Sequence, residues 1–105
     1  METYAIRDLN TSTAFEASSE LRELWRLDHM RTNLYYTRGI LLAELSKRKQ
    51  RYLQSSSMER QTQRQFEVVS AQTNLDQIND LIAKIGNKIR DLNATIHQTL
   101  NPNEQ

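Results

Sequence analysis

Few residues in this chain are of types and spacings that could do chemistry: His29 beside Asp28, His97, the serines Ser55 to Ser57, and the basic cluster KRKQR at Lys47 to Arg51. A metal site or an acid–base pair on a helix needs a second histidine or carboxylate three or four residues away, where both side chains share a face. Neither histidine has one. With no cysteine, thiolate catalysis, disulfides and cysteine-based zinc sites are excluded together. A Gly-rich phosphate loop, a nucleophile elbow and an HExxH pair are also missing. The expectation is a non-enzymatic protein with no catalytic, cofactor-binding or metal-binding residues.

The basic cluster is a different matter. Lys47, Arg48, Lys49 and Arg51 could contact nucleic acid, an acidic membrane surface or an acidic partner, or they could simply be a solvated helix end. Charge is uneven around them: residues 1 to 37 sum to −2, residues 38 to 64 to +5 and residues 65 to 105 to −2. Only Tyr52 adds an aromatic side chain to the cluster, which disfavours nucleic acid.

The elements that hold these residues are read from composition and period. Two glycines and one proline in 105 residues leave little means of turning, and valine occurs only at Val68 and Val69. The fold is expected to be all-α. In LDQINDLIAKIGNKIRDLNATI, apolar residues alternate at steps of three and four: Leu75, Ile78, Ile82, Ile85, Ile89, Leu92 and Ile96. In the first half, Leu24, Leu27, Leu34, Leu41, Leu45 and Tyr52 hold a heptad phase. That seam is interrupted by Arg31, Arg38 and Arg48, whose stems are expected to lie on apolar surface while their charges reach water.

QSSSMER at residues 54 to 60 breaks the pattern, because serine side chains compete for backbone hydrogen bonds, and Ser57 is placed to cap a second helix. The spacing therefore predicts an antiparallel hairpin over residues 13 to 100, with one uninterrupted long helix as the alternative, since no glycine or proline assists the serines. Helix one covers about 14 to 53, a turn lies near 54 to 57, and helix two covers about 58 to 99 before the proline in NPNEQ. Residues 1 to 12 are expected to be a flexible arm, with the first helix opening at a Thr13–Glu16 capping box or at Ser19, and residues 101 to 105 a disordered tail. Gly39, inside helix one, marks a bend, a close helix approach or a tolerated glycine.

Isoleucine at both seam positions disfavours a two-stranded parallel coil and favours three or four helices. The expected function is a structural or adaptor subunit that joins a coiled-coil bundle with protein partners, as a homo- or hetero-oligomer within a larger complex. Its contacts would be Leu75, Ile78, Ile82, Ile85, Ile89, Leu92, Ile96, Leu34, Leu41, Leu45 and Trp25. Trp25 lies at the edge of its stripe, where it packs at the bundle margin or anchors a partner; of Tyr35 and Tyr36, one is expected to pack and the other to be exposed. Alternatives are nucleic-acid or acidic-surface binding through Lys47 to Arg51, and a small helical chaperone of a secretion system. The general form resembles small subunits of trafficking or cytoskeletal complexes and secretion chaperones, without a motif that carries either likeness. No apolar run suggests a signal peptide or membrane span, so the expected location is cytoplasmic, with nuclear the alternative.

Overall fold

The computed structural model describes residues 11 to 100, with side chains from residue 18 onward. They form two long helices, α1 at Thr11–Leu53 and α2 at Met58–Leu100, each of 43 residues, arranged as a helical hairpin. No strand occurs among the described residues. Residues 1 to 10 of the expected arm, the expected tail and the side chains of the Thr13–Glu16 box lie outside the described residues, while residues 11 and 12, expected in the arm, belong to α1. α1 already contains residues 11 to 13, so neither Thr13 nor Ser19 is where it opens.

The turn follows from its serines. The last turn of α1 closes with the Gln54 N–H donating to the Gln50 carbonyl at 3.0 Å and the Ser55 N–H to Tyr52 at 3.2 Å. The Ser55 hydroxyl donates to the Arg51 carbonyl at 2.8 Å, so acceptors that a helix C-terminus would leave unpaired are used. On the other side, Ser57 Oγ accepts from the Arg60 N–H at 3.2 Å and its carbonyl from the Gln61 N–H at 2.9 Å, which makes Ser57 the N-cap of α2. The carboxylate that would complete a capping box is replaced by Arg60. Instead, Gln61 Nε2 donates back across the turn to the Ser55 carbonyl at 3.2 Å.

Residue contacts divide the hairpin into two units. The turn-bearing unit, Arg31–Lys84, buries Leu45, Ala71, Leu75 and Ile82. Leu45, Ala71 and Leu75 form a cluster flanked by Leu41 and Val68, so leucines of α1 interleave with the seam of α2. The second unit combines the described residues up to Met30 with those from Ile85 onward, and buries Leu27, Ile85, Ile89 and Ile96. In both units the buried positions follow the apolar period of the sequence, and each buried leucine or isoleucine contributes roughly 1.5 to 3 kcal/mol.

Candidate functional site: the basic turn and the exposed helix faces

The α2 seam is spent largely inside the chain. Leu75, Ile82, Ile85, Ile89 and Ile96 are buried, while Ile78, Leu92, Leu34 and Leu41 are half-buried and Leu45 is buried. Only the edges of the half-buried positions and the side chains on outer faces remain open to a partner.

In the turn-bearing unit the outer face of α1 carries Tyr35, Tyr36, Ile40 and Leu42, all exposed, around Gly39. The two tyrosines do not divide into one packed and one exposed; Tyr36 is 73% accessible, and the Arg38 guanidinium lies 5.3 Å from the centre of the Tyr35 ring. A Cβ built on Gly39 meets nothing within 4 Å, so no close approach inside this chain demands glycine there.

In the other unit Trp25 is 65% exposed rather than packed at the margin of the core. Its ring is held by His29, whose imidazole centroid is 4.0 Å away and whose Nδ1 donates to the Trp25 carbonyl at 3.1 Å. His29 thus orders an exposed indole. Leu21, four residues before Trp25 and also exposed, shares its shallow depression with Arg22 and Arg26. Arg26 is in turn engaged by Glu23, its Nε donating to Oε2 at 2.9 Å. That hydrogen bond, more than charge alone, holds the Glu23 carboxyl below the ordinary carboxylate value and raises Arg26.

The basic cluster separates into two kinds of residue. Arg48 does not reach out into water: its Nε donates to Glu44 Oε1 at 2.9 Å and its Nη1 to the backbone carbonyl of Glu67 on α2, also at 2.9 Å. The Glu67 carboxylate is meanwhile gripped by Arg64 Nη1 at 3.1 and 3.2 Å. The Arg48 hydrogen bond also lowers the Glu44 carboxyl. Lys47, Lys49 and Arg51 are exposed, as is Arg60 on α2, and none of the four makes an ion pair among the described residues. Beside them lies an open groove of about 400 Å³ lined by Lys49, Tyr52, Leu53, Gln65, Val68 and Val69. Leu53 and Met58, the residues flanking the turn, are 78% and 82% exposed. Phe66, farther along α2, is 73% exposed.

Against family models, curated proteins and solved structures, the chain has no match. Its function is therefore read from these surfaces alone. Among the described residues no group of three metal-ligating side chains occurs, and no helix is long and apolar enough to cross a membrane.

Sequence spacing places the seam and the cations, and the same period carries the signal for the outer face of α1. Tyr36 and Ile40 are out of phase with the seam, and that alone assigns them outward. The clasp between Arg48 and Glu67 has no local signal, because its acceptor is a backbone carbonyl nineteen residues away.

Proposed function

We propose that this chain is a non-enzymatic structural subunit whose hairpin joins helices of protein partners, or further copies of itself, in a larger bundle. The observation that carries this reading is the outer face of α1 around Gly39, where Tyr35, Tyr36, Ile40 and Leu42 stay exposed after the hairpin has covered its own seam. A contiguous apolar face that the chain leaves uncovered is characteristic of an interaction site, and a glycine at its centre lets another helix approach closely. Leu21 and Trp25 supply a second exposed apolar patch in the other unit, with the indole held in place by His29. Aromatic residues with restricted rotamers make effective anchors at such contacts.

The test uses exposed positions, so that assembly and folding are separated. Ile82→Asp with Ile89→Asp would not do this, since both residues are buried within the chain. Tyr36→Glu with Ile40→Glu leaves the seam intact. Light scattering with chromatography is expected to show wild-type protein above monomer mass, or in a stoichiometric complex with a purified helical partner, and the double variant as a monomer of unchanged helicity. Identical masses and partner binding for wild type and variant would refute the reading.

A further inference from the structure

The end of the hairpin combines two properties that neither its seam nor its outer face explains. The last residue of α1, Leu53, and the first of α2, Met58, are both aliphatic and largely exposed. Behind them stands a collar of cations. Arg51 and Arg60 come at about 3 Å of helix rise, and Lys49 at about 6 Å. Between Lys47 and Arg64 there are six cations and one carboxylate, Glu59.

From this juxtaposition we propose that the turn end docks, end-on and peripherally, on an anionic lipid bilayer surface, with Leu53 and Met58 entering the headgroup layer while Lys47, Lys49, Arg51 and Arg60 meet lipid phosphates. Apolar side chains of interfacial segments sit about 5 to 10 Å deep, the depth at which this collar reaches the phosphates. Two features favour a bilayer over other acidic partners. Leu53 and Met58 belong to different helices and flank the turn, so a partner laid along one helix face meets one of them whereas a surface met end-on meets both. Neither has a π face on which a base could stack, and Tyr52 is the one aromatic side chain between Lys47 and Arg64, whereas single-stranded nucleic-acid sites rely on stacking successive bases between their cations. Arg48 and Arg64 are already engaged with Glu44 and Glu67, so the attraction falls to the other four cations. None of Tyr35, Tyr36, Ile40 and Leu42 takes part, so variants at those four positions and at the turn end test bundle formation and membrane docking separately.

Co-sedimentation of the full chain with vesicles tests it. Binding is expected to phosphatidylcholine vesicles that contain phosphatidylserine, not to phosphatidylcholine alone, and to weaken steeply with salt. Lys47→Ser, Lys49→Ser and Arg51→Ser together should reduce affinity roughly a hundredfold, at about fivefold for each cation near the surface. Leu53→Asp with Met58→Asp should abolish binding with helicity unchanged, because both side chains are exposed. As an independent readout, Leu53→Trp in a Trp25→Phe background should shift its fluorescence to shorter wavelength only with anionic vesicles. No vesicle binding, undiminished binding of the Leu53→Asp, Met58→Asp variant, or binding to nucleic acid in preference to anionic vesicles would each overturn the proposal.

Discussion

Arg48 of α1 donates from Nη1 to the backbone carbonyl of Glu67 on α2 at 2.9 Å, and this bond pins the two helices together near the turn. A hydrogen bond from a charged donor is worth more than a neutral one, and here the donor is only partly exposed. Arg48→Ala is expected to lower stability by about 1 to 2 kcal/mol in urea denaturation followed by circular dichroism. Lys47→Ala and Lys49→Ala, which remove solvated neighbours, should change it by less than about 0.5 kcal/mol. Arg48→Lys should recover only part of the loss, because one ammonium group cannot reproduce the planar fork that serves both Glu44 and the carbonyl.

The Ser57 cap makes a second, local prediction. Removing its hydroxyl leaves the Arg60 N–H without its acceptor at the start of α2. Ser57→Ala should cost about 1 kcal/mol, and Ser57→Asp or Ser57→Asn should be close to neutral. Ser56→Ala, one residue away and without a cap bond, is the matching control. Equal melting temperatures for Ser57→Ala and Ser56→Ala would show that the cap does not stabilise the helix.

Gly39→Ala distinguishes the isolated hairpin from an assembled one. A Cβ there meets nothing within this chain, and its φ is not positive, so alanine should stabilise the hairpin by about 1 kcal/mol through helix propensity. If a partner helix closes over this face, the same methyl group should weaken the association. The expected outcome is a higher melting temperature under conditions where the chain is monomeric, together with a weaker complex.

Acid dependence arises from Glu23 and Glu44. Hydrogen bonds from Arg26 and Arg48 respectively hold their carboxyls below the ordinary value of 4.5 in the folded chain. As pH falls toward and below that value, the unfolded chain takes up protons first, so stability decreases. The contribution of the two pairs is complete at neutral pH and disappears once pH has fallen through their lowered values. Glu44→Gln should therefore flatten the acid limb of a stability–pH profile. Because the Glu23 pair is exposed and the Glu44 pair still partly reaches solvent, salt should diminish the effect as well.

How much of this was legible in the sequence depends on the range of the interaction that decides each feature. The turn was legible because serine chemistry acts over three or four residues, and Ser55 and Ser57 make their bonds within that range or just beyond it. The inward phase of Leu27, Leu45, Leu75, Ile82, Ile85, Ile89 and Ile96 was legible because helical period alone selects a face. Trp25 was not: its position at a stripe edge is compatible with packing or exposure, and in the fold it stays exposed beside the His29 ring.

The same limit applies to the three arginines of the α1 seam. Arg31, Arg38 and Arg48 all fall on the seam of the period, yet Arg38 lies against the Tyr35 ring and Arg48 clasps α2. The sequence by itself determined two long helices, the place where they part and the face each turns inward, because those depend on local propensity and period. Only the tertiary structure decided which cations are held and which stay free, and which apolar residues remain uncovered, because those depend on what the opposite helix brings alongside.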